Sequence, residues 1–302
     1  MAERNANGYD AAMDIATTFI NGHNRNAGSG DTVYRGTLEA LPAPAPISSA
    51  TDAAHLMFSD GVVQFPDLLS PAEVVAMRGW MDSLGDDDAH YEMKDWCFNK
   101  HLDADLCGTP QWLSLIDRSP VHEVLSLALG HDHVCYGGSL WITGQGREMG
   151  MHTDFMLLRL PDGVLEQSKA IVPIVRATLH IYLDDQVAEI GPTLVIPGSH
   201  LAGHPPENQS TWNGRTPKMV SVKAGGAALF RHDLWHGAAR NTSQRRRYLI
   251  QVHYAIGWHH GPQGVFSEPR HFEPQVLAQA TERQRAVLGE REAAPQAAAY
   301  AR

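Results

Sequence analysis

Between residues 134 and 254 the chain carries six short runs rich in β-branched or aromatic residues, with no helical pattern between one run and the next. They are Val134–Thr143, Ala177–Leu183, Thr193–Ile196, Met219–Val222, Ala227–Arg231 and Tyr248–Tyr254, punctuated by Gly, Pro, Asn and Asp. A parallel α/β sheet needs a crossover between strands, usually a helix, so this texture argues for a sandwich or jelly roll instead. Gly61–Phe65 has the same strand character. Helices flank the β region. Ser70-Pro71-Ala72-Glu73 supplies an N-cap, a proline at the first helical position and a capping-box glutamate, ahead of Val74, Met77, Trp80, Met81 and Leu84. Further helices are expected over Pro120–Gly130 and Pro274–Glu290. Residues 1–50 contain Ala43-Pro44-Ala45-Pro46 and read as an arm or linker around a helical stretch near Ala11–Ile20. The expected organisation is an arm (1–50), a β domain with flanking helices (51–270) and a C-terminal helix with an Ala-rich tail (271–302).

Composition narrows the function classes. With 302 residues and 43% apolar content, the chain can bury a core without staples. Cys97, Cys107 and Cys135 have no C-x-x-C spacing and read as free thiols of a reducing compartment. A net charge of −10 offers no basic field for a phosphate backbone, so nucleic acid is not an expected partner. Met1–Asp14 lacks an apolar export core, and the apolar runs fall far short of the roughly 20 residues that span a bilayer. The expectation is a soluble, cytoplasmic protein without a membrane partner.

Among 17 histidines, His152-Thr153-Asp154 stands out. On a strand or at its exit, residues two apart point to one face, which converges an imidazole and a carboxylate. His236 follows the apolar run that ends at Phe230. Two histidines and one carboxylate form the facial set of non-haem iron oxygenases, which leaves coordination positions open; the same set also suits zinc. Beyond His236, Asn241-Thr242-Ser243-Gln244 leads into Arg245-Arg246-Arg247. A guanidinium fixed there can grip a carboxylate bidentately. Alternation puts Arg245 and Arg247 on one face, and residue chemistry alone does not choose between them; a solvated basic turn is the plainer reading.

Taken together, Ser59-Asp60-Gly61-Val62-Val63, the helix from Pro71, the H-x-D motif, Ala177–Asp185, Gly191-Pro192-Thr193-Leu194-Val195-Ile196-Pro197-Gly198-Ser199-His200, Trp235-His236-Gly237, Asn241, Ser243 and Arg247 resemble the phytanoyl-CoA dioxygenase family of iron(II)/2-oxoglutarate oxygenases. The resemblance covers most of Phe58–Tyr254. It implies a mainly β fold with flanking helices, a double-stranded β-helix (jelly roll, cupin-like). It implies Fe(II) on His152, Asp154 and His236, with 2-oxoglutarate and O2 as co-substrates. Arg247 would take the C5 carboxylate of 2-oxoglutarate, with Thr193 beside it. Many members place a glutamine just before the H-x-D histidine; Met149 and Gly150 stand there in this chain, which leaves Gln145, Trp141 or Thr143 to substitute. The implied reaction is hydroxylation, desaturation or a related oxidation of a small-molecule metabolite, with 2-oxoglutarate converted to succinate and CO2, in a biosynthetic tailoring setting. Related halogenases lack the carboxylate, so Asp154 favours oxidation over halogenation.

Other residues receive plainer readings. His200 reads as structural within its turn, His131-Asp132-His133 as solvated surface, and His259-His260 as loop. An even spacing on one strand would keep His232 on the face of His236, and His180 is a second possible pocket residue. Trp96, Phe98, Trp141, Trp212 and Tyr182 are candidate pocket walls. Asp95–Leu106 and Gly203–Lys218 are candidate lids. The acidic balance mildly favours neutral or cationic substrates. Two further functions remain open: a zinc-dependent hydrolase or isomerase, and a non-catalytic binding protein on the same barrel.

Overall fold

The computed structural model describes residues 32–42, 49–84, 100–103, 109–157, 159–168, 171–260 and 277–290, with backbone alone at 100–103 and 259–260. The strands, in chain order, are β1 (Glu39–Ala40), β2 (Val62–Phe65), β3 (Lys100–Asp103), β4 (Val134–Thr143), β5 (Met149–His152), β6 (Arg176–Tyr182), β7 (Thr193–Val195), β8 (Lys218–Met219), β9 (Ala227–Arg231), β10 (His236–Ala238) and β11 (Arg247–Ala255). The helices are α1 (Ala50–Ser59), α2 (Pro71–Ser83), α3 (Pro110–Leu113), α4 (Val121–Ala128), α5 (Val164–Ser168), α6 (Gly257–His260) and α7 (Glu282–Val287).

Two sheets face each other. The larger runs β2-β9-β6-β11-β4-β3 and the smaller β1-β8-β7-β10-β5. Every pairing is antiparallel except β1 with β8. This is the expected double-stranded β-helix. The larger sheet is buried on both faces, which is why its strands read as nearly continuous apolar runs. One face carries Leu140, Ile142, Leu179, Ile181, Leu229, Ile250 and Val252 into a core shared with Met57, Met77, Met81 and Leu125 of the helices. The other face packs Trp141, Tyr182, Phe230 and Leu249 against Val195 of the smaller sheet. The α2 capping box forms as expected between Ser70 and Glu73. Burial matches the free-thiol reading of Cys135. Among the described residues no helix is long and apolar enough to cross a membrane.

Several expectations are corrected. Part of the expected arm is integral: Thr32 is fully buried, Arg35 grips Glu148 bidentately at 2.6 and 2.7 Å, and Glu39–Ala40 adds a strand to the smaller sheet. The stretch Ala11–Ile20 lies outside the described residues, as do Trp96, Cys97, Phe98 and Cys107. Of the candidate lid Asp95–Leu106, the described part is strand β3, paired with β4. Within the described part of Pro274–Glu290 a helix spans Glu282–Val287, begun by a capping box between Thr281 and Gln284. His259 and His260 close the short helix α6. His133 is buried, with Nδ1 2.9 Å from the Gly130 carbonyl, so only His131 and Asp132 of that cluster face solvent.

Candidate metal centre and pocket

The centre is assembled across one ladder of the smaller sheet. In the β5–β10 pairing His152 stands directly opposite His236, and their ring centroids are 4.2 Å apart. Strand β5 ends at His152, so Asp154 is not placed by strand alternation. The chain bends, and the backbone N–H groups of Asp154 and Phe155 donate to the His232 carbonyl at 3.0 and 3.3 Å. That bend brings Asp154 Oδ1 to 3.7 Å from His152 Nε2 and 3.5 Å from His236 Nε2. Ligand atoms of the three residues lie within 4.8 Å of one another, a grouping that could hold a metal ion.

The outer partners set the tautomers. His152 Nδ1 donates to the Gly150 carbonyl and His236 Nδ1 to the Leu234 carbonyl, each at 2.9 Å. Both rings therefore turn their Nε2 lone pairs toward the shared space, the arrangement a metal ligand needs. Burial would raise the Asp154 pKa, but His236, His232 and His152 outweigh it and hold the carboxylate well below its ordinary range. Burial alone would lower His236, and Asp154 more than reverses this.

His232 follows β9 rather than sharing a strand with His236, so the even spacing in sequence is not what joins them. It approaches Asp154 from the other side, with Nε2 3.8 Å from Oδ2. Thr178 Oγ1 bridges His232 Nε2 and His253 Nδ1. Burial pushes the His232 pKa down, and its Nε2 bonds Thr178 and not the carboxylate.

Arg247 opens β11 on the inner face of the larger sheet, opposite Thr143. It is 1% exposed, its Nη1 donates to the Gly191 carbonyl, and its Nε has no hydrogen-bond partner. Burial pushes its pKa down to about 10. Two backbone features deliver it. Gly191 adopts φ +73°, and a Cβ there would stand 2.7 Å from the Ala239 carbonyl oxygen and the Asn241 nitrogen. Asn241 shapes the turn into β11, with Nδ2 donating to the Arg245 carbonyl at 2.9 Å and Oδ1 accepting from the Ser243 backbone at 3.0 Å. Gly191, Asn241 and Ser243 thus act through Arg247.

Thr193 and Tyr182 lie close by. Both are buried and their hydroxyls share a hydrogen bond, while each stands 3.5 Å from His180 Nδ1. Trp141 shares this inner face, but its indole N–H donates to Ser139 Oγ at 2.7 Å, so it contributes a ring wall. Ser139 bonds Gln251, and Gln251 bonds His180 Nε2 at 2.8 Å, which ties His180 into an internal network. Gln145 is exposed in the turn after β4 and is not brought to the centre, because inward alternation ends with that strand at Thr143. His200 is largely buried at the cleft; burial pushes its pKa down to about 3, against a backbone hydrogen bond with Phe58. Trp212 packs with Trp235 in a separate core and stacks against Arg215, away from the pocket wall.

Beside the centre opens a cleft. Phe155, Met156, Leu157, Leu160, Leu165, Val172, Pro173 and Val175 form its apolar wall, and Arg176, His200, His232 and Asp233 its polar side. Arg231, fully buried, clamps Asp233 at 2.5 and 2.9 Å and holds the Val172 and Pro173 carbonyls at 3.2 and 3.4 Å. Most of this wall comes from the β5–β6 connection, which sequence patterning did not single out.

A clasp closes over the cleft. The Leu160 N–H donates to the Gly203 carbonyl at 2.8 Å, Arg159 pairs with Glu207 at 2.7 Å, and His204 Nε2 lies 2.6 Å from Asp162 Oδ1. His204 Nδ1 faces the Pro205 carbonyl at 2.7 Å, so both ring nitrogens meet acceptors and the imidazolium satisfies both. The Trp235 ring packs on its other side. Burial lowers the His204 pKa, but Asp162, Pro205 and Glu207 together raise it above the ordinary 6.5. A raised pKa in the folded state means that the clasp is at full strength below the ordinary value and weakens as pH rises through the raised one. Amide exchange in residues 159–168, corrected for intrinsic rate, should therefore accelerate as pH rises above the ordinary value of 6.5. His204→Gln should flatten that step; a step that persists in the variant refutes the clasp.

A two-sheet β-helix with a two-histidine, one-carboxylate centre between its sheets and a buried arginine beside it defines the class. The sequence profile of the family described as phytanoyl-CoA dioxygenase matches residues 58–248, and the chain belongs to that family. Two relatives, uncharacterized proteins of Mycobacterium tuberculosis and Mycobacterium bovis, are each 31% identical over 141 residues, covering 47% of this chain and 46% of theirs. The matched stretch thus spans about half the length of the curated relatives. Among solved structures, the fold is similar to the non-heme alpha-ketoglutarate-dependent carbocyclase SnoK from nogalamycin biosynthesis (TM-score 0.55, 20% identity, 72% of this chain and 88% of that one). It is also similar to HygX from Streptomyces hygroscopicus with nickel, 2-oxoglutarate and hygromycin B bound (TM-score 0.52, 17% identity, 68% and 86%).

Proposed function

We propose that the chain is an iron(II)- and 2-oxoglutarate-dependent dioxygenase that oxidises a small molecule. The observation that carries this reading is the fully buried guanidinium of Arg247, with an unpartnered Nε, on the inner wall that also bounds the three-residue centre. A hydrolase or isomerase using zinc on the same three residues has no evident need for that buried cation. The residues fit the groups this reading requires: His152, Asp154 and His236 would hold iron, and Arg247 would hold the distal carboxylate of 2-oxoglutarate beside the Thr193 hydroxyl. Bound iron, with 2-oxoglutarate and oxygen, supplies the oxidising power for attack on an unactivated C–H bond, releasing succinate and CO2.

The protein's part is positioning. The Gly150 and Leu234 carbonyls hold the two imidazoles with Nε2 inward, and the His232 backbone carbonyl holds the bend that presents Asp154. The apolar wall from Phe155 to Val175 excludes water and seats the substrate. SnoK and HygX, by their names and bound groups, support both the co-substrate and a tailoring role in natural-product biosynthesis. We assign the activity to residues 51–270 with 32–42 as an added edge, in a cytoplasmic setting consistent with the free thiol of Cys135.

The test is anaerobic addition of ferrous iron and 2-oxoglutarate, followed by oxygen. A visible charge-transfer absorption and iron-dependent succinate release are expected. Turnover supported by zinc without 2-oxoglutarate would overturn the proposal.

A further inference from the structure

We propose that Arg231 is a positioning residue that sets the breadth of the cleft, so that the accepted molecule is an apolar body selected by its width. The inference rests on reading the cleft as the substrate seat of an iron/2-oxoglutarate oxygenase, and it names the device that limits what the seat admits.

Residues 171–175 run along the cleft outside any strand, and Val172, Pro173 and Val175 line it. At the inner end the Val175 carbonyl accepts from the Ile256 N–H at 3.1 Å, and β6 begins at the next residue. At the outer end Ile171 is 81% exposed. Between these ends Pro173 has no N–H to offer, and the stretch is held by its carbonyls. Nη2 of Arg231 donates to that of Val172 at 3.2 Å and to that of Pro173 at 3.4 Å.

The anchor itself is rigid. Arg231 closes β9 opposite Ala177 of β6, and its N–H donates to the Gly61 carbonyl at 3.1 Å. Its side chain is fully buried, and Asp233, also a cleft residue, accepts from Nε and Nη2 in the two-point grip that fixes a guanidinium plane. One guanidinium thus ties three lining residues to the larger sheet. A buried ion pair contributes little net stability compared with a well-packed uncharged replacement; what this one fixes is the separation of the Val172–Pro173 wall from β9. A wall that cannot recede rejects a body that overfills the space, because overpacking costs more than the added contact contributes. The metal centre hangs on different atoms. The His232 and Leu234 carbonyls, which place Asp154 and His236, are main-chain groups that a change of the Arg231 side chain leaves in position. Width selection and metal loading are therefore separable.

The experiment uses the full chain loaded anaerobically with ferrous iron and 2-oxoglutarate, the charge-transfer absorption reporting loading. The probes are 2-naphthalenemethanol and 1-pyrenemethanol, neutral fluorescent alcohols that differ in breadth, and their affinities are read by fluorescence titration. The principal variant, Arg231→Met with Asp233→Asn, removes both charges together and leaves neither buried alone. In it the affinity ratio of the pyrenyl to the naphthyl probe should rise about tenfold, the scale on which a hydrophobic pocket discriminates by size. Amide exchange in residues 171–175 should accelerate about tenfold, while the absorption persists and the melting temperature moves by only a few degrees. Arg231→Lys alone should give an intermediate ratio, since an ammonium can hold a carbonyl without the fork. An unchanged ratio, unchanged exchange, or failure of the unaltered chain to bind either probe would each overturn the proposal. Loss of the absorption or collapse of the melting temperature in the double variant would also overturn it, making Arg231 a structural strut. If the absorption fails to form in the unaltered chain, the oxygenase reading fails instead. The ratio is then compared on metal-free protein, where the same rise is required.

Discussion

Replacing Asp154 by alanine is expected to weaken ferrous-ion binding by at least about 100-fold and to bring succinate release below detection. The reason lies in the division of labour at the centre. His152 and His236 contribute neutral Nε2 lone pairs, held inward by backbone carbonyls, so Asp154 is the one anionic member of the set. Two imidazoles remain after the substitution, without the charge that favours a divalent ion over water. The bend at Asp154 hangs on backbone N–H groups donating to the His232 carbonyl, which alanine retains. Thermal unfolding of metal-free protein should accordingly change by only a few degrees, a modest effect on the scale of single substitutions. Calorimetric titration with ferrous iron under argon checks the first point, and melting curves the second. Wild-type iron affinity in Asp154→Ala would remove Asp154 from the centre.

Arg247→Met should produce two effects of opposite sign. Binding of 2-oxoglutarate should weaken about 10- to 100-fold, because a charge-assisted pairing with a carboxylate is worth about 1.5–3 kcal/mol. The metal-free protein, in contrast, should hold its melting temperature or gain a few degrees. The native guanidinium is fully buried, its pKa is pushed down to about 10 by that burial, and its Nε lacks a partner. Methionine of similar length relieves that desolvation. Arg247→Lys should not rescue co-substrate affinity, since an ammonium cannot reproduce the bidentate fork. A marked loss of stability in Arg247→Met would show that the arginine is a structural strut.

The candidate grouping of His152, Asp154 and His236 rests on short local signals, H-x-D and a histidine after an apolar run, whereas the choice of Arg247 over Arg245 comes only from the family resemblance. The strands that read most clearly, such as Val134–Thr143 and Ala227–Arg231, are those buried on both faces, where side-chain type is most constrained. Strands β5 and β10 carry Gly150 and Gly237 and only short apolar stretches, so composition does not mark them although they carry His152 and His236. Residues placed by tertiary contact were the least visible. Arg176 stands just ahead of an apolar run and resembles a strand-flanking charge until Phe155 and Tyr136 are seen around it. Gln145 shows the reverse: a plausible side chain near the motif, left in solvent when the strand ended two residues before it.

The ladder that sets His152 against His236 contains almost none of the cleft wall, which comes mainly from the connection between β5 and β6. If the proposed function holds, oxidising chemistry and molecular selectivity lie on separate stretches of chain. Substitutions between Phe155 and Val175 would then change which molecule fits the cleft while the ladder keeps its geometry.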